Sequence, residues 1–231
     1  MPTPTQTSTE TSTPATPPSS TQRLQALYTG VLFDVMRGMG HQDFVLPPSI
    51  RPLNEGPKLA GPIFTVEGQT GENFDAHETL LGWTGLLSKA PGGHVVVCQP
   101  HNDQIALMGE LSAETLKMKG VLGYLVDGGT RDCQFILDMD FPVWCRFRSP
   151  RDIVGKWLPK AFNEPISIGG VRIRGGDYLL ADRDGVVIIP GDKVETIVNE
   201  AERALGVENK VRTEILAGMD PQQAYLKFGK F

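Results

Sequence analysis

Cysteine is scarce in this 231-residue chain: Cys98, Cys133 and Cys145 are odd in number and form no C-x-x-C pair. That excludes a disulfide framework and a cysteine-based zinc site, and it fits a reducing compartment. Basic charge is also short. Against 27 Asp and Glu stand 22 Lys and Arg, a formal net charge of -5, with no Lys/Arg cluster to offset it. This balance supplies no electrostatic reason to bind nucleic acid or an anionic membrane. No stretch has the length and apolarity of a membrane span, and no basic start followed by an apolar run marks a secretory signal, so a soluble, cytoplasmic protein is expected. Nor does a glycine-rich nucleotide fingerprint follow a strand and open a helix. His77 begins H-E-T-L-L, which lacks the second histidine of a zinc-protease helix and leaves a surface or capping residue. The D-R-D-G from Asp182 to Gly185 lacks the remaining ligands and terminal Glu of a calcium loop, so it reads as a hairpin turn.

What is present can bury one sizeable core. Hydrophobic residues make up 40% of the chain, and 26 glycines with 18 prolines imply many turns. Residues 1–21 are almost all Thr, Ser, Pro, Gln and Ala, a composition that cannot repay the entropy of ordering and predicts a flexible tail. Residues 22–231 are then expected to form a single domain. Helical spacing predicts helices over 24–36, 74–89 and 111–119, and one or two more over 192–216, followed by a short amphipathic segment. Strands are expected over 59–67, 94–98, 121–126 and 141–147, with β-structure over 164–173 and 177–189. Residues 149–157 read as a basic, irregular loop. Early alternation followed by hairpins argues for a mixed α/β fold rather than a simple doubly wound sheet. The strand-end loop bearing His101, Asn102 and Asp103 is placed where pockets often form, but a solvated loop explains it equally well.

One stretch, from Gly109 to Asp132, organises the rest. An apolar strand enters a glycine turn that presents Arg131 and Asp132 side by side, and Glu110 follows Gly109 ahead of a helix. Helix starts carry orphan N–H groups that attract carboxylates or phosphates. A guanidinium grips an oxyanion through two donors, and an adjacent carboxylate can hold a hard divalent cation. These parts describe a site for a small acidic metabolite on a metal. Equally, Asp132 could cap a helix over 133–139, Arg131 could pair with a surface acid, and the glycines could serve the turn alone.

The G-[DE]-L at Gly109 to Leu111 and the V-D-G-x-x-R-D ending at Asp132, with twenty residues between the first acid and Arg131, resemble the RraA-like family. So do S-I-R-P-L at Ser49 to Leu53, K-L-A-G-P-I-F-T-V at Lys58 to Val66, and L-A-D-R-D-G-V-V-I-I-P at Leu180 to Pro190. The family's first acid is usually Asp; here it is Glu110. The resemblance implies a layered β/β/α sandwich of the swivelling-domain type, assembled as a homotrimer or homohexamer. It also implies the chemistry of the class II 4-hydroxy-4-methyl-2-oxoglutarate/4-carboxy-4-hydroxy-2-oxoadipate aldolases, which release pyruvate, with oxaloacetate decarboxylation on the same site.

On that resemblance, Asp132 ligates Mg²⁺ or Mn²⁺ and Glu110 orients a water on it. Arg131 neutralises the enolate oxygen, backbone N–H groups of Gly109, Glu110, Leu111 and Ser112 hold the substrate carboxylate, and a metal-activated water is the base. An acid from a neighbouring subunit is implied as well, with Glu202 and Glu208 both candidates. Lys117 and Lys119 are the residues for a rival Schiff-base route, although both read as solvated helix-flank lysines. From a different class comes the family's RNase E inhibitor, a protein-binding regulator that needs no chemistry.

Overall fold

A computed structural model describes residues 18–229 of the chain, apart from 55 and 57. The expected tail falls mostly outside the described residues, and its last part is not a tail: Ser19 and Gln22 form a reciprocal capping box that opens a helix at Ser20–Ala26. A second helix follows at Thr29–Gly38, so the single helix expected over 24–36 is two. Apolar spacing runs unbroken across the join, but Leu27 and Tyr28 are extended. Distant groups hold the break: Lys58 Nζ donates to Leu27 O at 2.5 Å, and Asp182 accepts both the N–H and the hydroxyl of Thr29 at 2.8 and 2.7 Å. Asp182 itself sits in the four-residue turn between antiparallel strands Tyr178–Ala181 and Val186–Ile189, as the D-R-D-G turn predicted.

An eight-stranded mixed sheet forms the middle of the molecule. Its order is Arg51–Pro52, Val143–Cys145, Gly123–Val126, Val95–Gln99, Leu59–Thr70, Tyr178–Ala181 and Val186–Ile189, with Trp157–Phe162 also pairing with Leu59–Thr70. Its four neighbouring strands from Val143–Cys145 to Leu59–Thr70 are parallel, and their near-continuous apolar runs are buried on both faces. Successive side chains divide between two cores. Val96, Cys98, Tyr124 and Val126 face the helices Ala76–Lys89, Glu110–Met118 and Cys133–Asp138. Val95, Val97 and Leu125 face the antiparallel hairpin Ile166–Ile168/Val171–Ile173. A third core packs the two N-terminal helices and the helix Val194–Leu216 onto Ala60, Leu180, Val187 and Ile189. The result is an α/β layered fold.

The strand Trp157–Phe162 occupies part of what was expected to be loop and unassigned chain. Among the described residues it pairs at one edge only, and the partner strand bulges between Glu67 and Gly68. There Trp157 lies over the backbone so closely that a Cβ on Gly68 would come within 2.0 Å of its ring. Trp157 is fully buried, donates from Nε1 to Pro100 O at 3.2 Å, and meets Trp83 edge-on with ring centroids 5.8 Å apart. Such a pair adds about 1 kcal/mol beyond its buried area. It anchors one wall of the hollow beside the ends of the parallel strands.

Candidate active site

Two chain segments build the site by running side by side. Leu107 N–H donates to Gly129 O at 2.9 Å, Arg131 N–H donates to Met108 O at 2.9 Å, and the Thr130 hydroxyl donates to Met108 O at 3.1 Å. This zipper carries Gly109 and Glu110 directly opposite Arg131 and Asp132. The glycine is required by proximity, since a Cβ at position 109 would stand 2.6 Å from Asp132 Oδ2 and 3.3 Å from Arg131 Cγ and Nε. Its backbone is ordinary extended chain at φ -147°.

Asp132 immediately precedes the helix Cys133–Asp138 in the left-handed region, φ 53° and ψ 36°, and its side chain makes no capping bond to that helix. A capping role for Asp132 on the helix that follows it is therefore not what the structure shows. Instead Oδ2 accepts the N–H of Glu110 at 3.1 Å, at the start of the other helix, Glu110–Met118. The Arg131 guanidinium lies between two carboxylates: Nε is 3.5 Å from Asp132 Oδ2 and Nη1 is 3.7 Å from Asp152 Oδ2. A non-glycine residue held at positive φ costs free energy, of order 1 kcal/mol, and such positions concentrate at functional sites.

All six residues expected at the site, Gly109, Glu110, Leu111, Ser112, Arg131 and Asp132, line one hollow of about 490 Å³. Trp83, Leu87, Leu107 and Ile153 supply its apolar wall. The Trp83 indole donates to Ser112 Oγ at 2.9 Å and fixes the turn in which the N–H groups of Leu111 and Ser112 open the helix without an intrahelical acceptor. A small anion is thus offered two backbone donors, the positive end of a nine-residue helix and a guanidinium. Asp152 and Trp83 were not singled out from the sequence. Asp152 sits in S-P-R-D, which looks like solvated loop, and Trp83 looks like ordinary helix core; neither carries a local signal.

Other candidates fall elsewhere. His77 is exposed on the helix Ala76–Lys89. Lys117 donates to Met139 O, while Lys119 donates to Leu87 O and Ser88 O at 2.6 Å each, so both lysines close helix C-termini. Glu202 binds Arg23 at 2.7 Å, and that hydrogen bond holds its carboxyl below the usual carboxylate range. Glu208 accepts from the Tyr28 hydroxyl and pairs with Arg212 at 2.8 Å. Both glutamates offered for a neighbouring site are engaged inside their own chain.

The donor set limits what cation could sit here. Among the described residues no three His, Cys, Asp or Glu side chains gather as a metal cluster. An all-protein cage of the calcium or zinc kind does not fit. Mg²⁺ and Mn²⁺ ask for less, one or two carboxylates with water and substrate oxygens filling the shell. Asp132 meets that demand through Oδ1, which among the described residues has no hydrogen-bond or ion-pair partner.

The family model described as "Aldolase/RraA" matches residues 29–188, a span that contains the whole zipper. The chain belongs to the RraA-like family. Among its relatives is a Halalkalibacterium halodurans protein named provisionally as a 4-hydroxy-4-methyl-2-oxoglutarate aldolase. It is 28% identical over 209 residues, which cover 89% of this chain and 92% of the relative. Streptomyces coelicolor RraAS2, described as an unusual member of the RNase ES inhibitor RraA family, superposes with a TM-score of 0.75 at 25% identity, covering 86% of this chain and 99% of its own. A structure whose description speaks of novel cellulases from gut-associated microbes superposes at 0.79 with 32% identity, covering 87% and 90%. No helix of the described residues is long and apolar enough to cross a membrane.

Proposed function

We propose that this RraA-like chain is a divalent-metal-dependent lyase that cleaves a 4-hydroxy-2-oxo acid to release pyruvate, with oxaloacetate decarboxylation on the same site. The observation that carries the reading is the Arg131 guanidinium set beside Asp132 and facing a helix start. In the reaction, the C4 hydroxyl gives up its proton to a water in the site. C4 leaves as the carbonyl carbon of the second product as the C3–C4 bond breaks, and the bond's electrons settle on the C2 oxygen as the pyruvate enolate. Protonation at C3 then yields pyruvate. Negative charge grows on one oxygen, so catalysis needs groups that bind that oxygen more tightly as the bond breaks.

The chain's residues divide this work. The N–H groups of Leu111 and Ser112 hold the substrate carboxylate at the helix start, and Arg131 neutralises the enolate oxygen. Asp132, with Glu110 beside it, would hold the cation, whose contribution when bound is Lewis-acid polarisation of the 2-oxo group. Asp152 keeps the guanidinium from swinging out to solvent. The apolar wall around Trp83 thins the competing water and strengthens each of these interactions. Leu80 and Leu111 are largely exposed at the rim, and we assign that surface to contact with another copy in a trimer or pair of trimers, which sedimentation would measure.

Glycoside hydrolysis fits the site poorly. It needs two carboxyl groups free to flank the scissile bond, whereas Asp132 and Asp152 are both engaged with the Arg131 guanidinium, at 3.5 and 3.7 Å. A protein-binding regulator is the second reading, favoured by the superposition on RraAS2. A lactate-dehydrogenase-coupled assay with oxaloacetate and with 4-hydroxy-2-oxo acids separates the two. Pyruvate release that needs a divalent metal supports the lyase, and no turnover with any metal, together with capture of a ribonuclease, supports the regulator.

A further inference from the structure

Beside the hollow described above lies a second and larger one, of about 650 Å³, which shares Asp152 and Val154 with it. The first has an apolar wall, whereas the second is walled by Thr70, His101, Asn102, Gln104, Arg151 and Lys156 among others. Among the described residues no histidine lines the first hollow, and His101 is the one that lines the second. Two of the acids beside it are already paired: Glu72 faces Lys156 at 3.4 Å, and Asp152 faces Arg131 at 3.7 Å.

His101 is fixed from both ends. Its backbone lies in the left-handed region at φ 52°, which is uncommon for a residue other than glycine. Its N–H donates to Gln99 Oε1 at 2.9 Å, and its carbonyl accepts the Thr70 hydroxyl at 3.0 Å. Gln99 is buried and is itself tied to Asp127 Oδ2 and Ser167 O, at 2.9 and 3.0 Å. On the side chain, Nε2 meets Glu67 Oε1 at 3.2 Å, and the same carboxylate faces Lys160 at 3.6 Å. The hydrogen bond to His101, with the charge of Lys160 added, holds the Glu67 carboxyl below the usual carboxylate range, so it is ionised and only accepts.

In the neutral imidazole Nε2 therefore carries the proton and Nδ1 presents its lone pair. Among the described residues Nδ1 has no hydrogen-bond or ion-pair partner. A carboxylate that fixes the tautomer and leaves the other nitrogen open is the arrangement of a histidine base. The ring is also half exposed, so a proton that it gains can pass on to solvent.

We propose that His101 is the proton acceptor for the carbon-carbon cleavage, acting through water in this chamber. With the pyruvyl group at Arg131 and Asp132, the polar C4 end of the substrate turns toward the polar hollow at the shared wall. The C4 hydroxyl gives its proton to a water, and that water gives one to Nδ1. The C4 oxygen becomes a carbonyl as the C3–C4 bond breaks, and the imidazolium faces Glu67 until it returns the proton to solvent. This role rests on the lyase reading. Decarboxylation of oxaloacetate makes the same enolate with no hydroxyl proton to remove, so it does not call on His101.

The test measures pyruvate release from 4-hydroxy-2-oxoglutarate and from oxaloacetate in excess Mg²⁺. His101→Asn, a residue type that tolerates positive φ, lowers the ratio of cleavage to decarboxylation by about 10²- to 10⁴-fold. Glu67→Gln lowers the same ratio, because its amide can donate to Nε2 and no longer fixes the tautomer. It decides the matter should His101→Asn not fold. A His101 that only shapes the chamber moves both reactions together, and such an unchanged ratio overturns the relay while the lyase reading stands. If the wild-type protein releases pyruvate from neither compound, the lyase reading fails and the relay falls with it.

Discussion

Asp132 Oδ2 accepts the backbone N–H of Glu110 at 3.1 Å, so the carboxylate that precedes one helix closes the first turn of another. One oxygen of Asp132 holds the two segments together, and the other, Oδ1, has no hydrogen-bond or ion-pair partner among the described residues. The bond also explains why Gly109 stands where it does. Any side chain there would push into the space that Asp132 and Arg131 occupy.

Substitution at the pair should separate chemistry from folding. Asp132→Asn keeps the side-chain shape and a residue type tolerant of positive φ, so its melting temperature stays close to that of the wild type while pyruvate release falls to background. Arg131→Ala removes the enolate's counter-charge and lowers kcat by about 10²- to 10³-fold. Thermal melts beside steady-state assays read both effects. Near-normal turnover in either variant contradicts the assigned roles.

Gly109→Ala tests the packing directly. The added methyl meets Asp132 Oδ2 at 2.6 Å, which forces that carboxylate to move. Overpacking of this kind costs about 1 to 3 kcal/mol. A displacement near 1 Å at a reacting centre lowers the rate by about 10²-fold. The loss in kcat/KM is expected to exceed the loss in stability, each in kcal/mol, when both are measured on the same preparation.

Metal removal discriminates between the two enzymic routes. EDTA should abolish pyruvate release, and added Mg²⁺ or Mn²⁺ should restore it. Borohydride in the presence of substrate should trap no adduct, because Lys117 and Lys119 are bound to helix-end carbonyls. Mass spectrometry of the treated protein checks the second outcome, and a reduced lysine adduct would overturn the metal route.

That these residues would come together at one candidate site was legible in the sequence, because they lie in two short segments whose glycines and charges sit beside strand and helix ends. What could not be read was the direction in which Asp132 points: a local pattern suggests a cap on the next helix, and only the zipper of 106–108 against 129–131 turns it to Glu110. The break at Leu27 and Tyr28 was hidden for a similar reason, since Lys58 and Asp182 impose it from far along the chain. The strand Trp157–Phe162 carries Pro159 and Lys160 and shows no alternation, a sequence tolerated because it pairs at one edge only. Asp152 gains meaning only when its loop folds against the hollow that holds Arg131.

Acid stability should depend on the N-terminal helix. Arg23 binds Glu202, Glu195 and Asn199, and its hydrogen bond holds the Glu202 carboxyl below the ordinary value of 4.5. A depressed carboxylate stabilises the fold above its unfolded pKa and loses that contribution as pH falls through the folded value. The wild type should therefore melt above Glu202→Gln near neutral pH, with the gap closing below about pH 4.5. Solvent exposure limits the effect to about 1 kcal/mol or less. A gap that widens in acid would contradict the pairing.

If Arg131 and Asp132 stabilise a pyruvate enolate, as proposed, proton exchange reports it without reference to the native substrate. Pyruvate incubated in D₂O with the protein and Mg²⁺ should lose its methyl proton signal by NMR far faster than in the protein-free control. The loss should return to the control rate in Arg131→Ala and in Asp132→Asn. Exchange by the wild-type protein no faster than that control, with every divalent metal tried, would rule out enolate stabilisation by this pair.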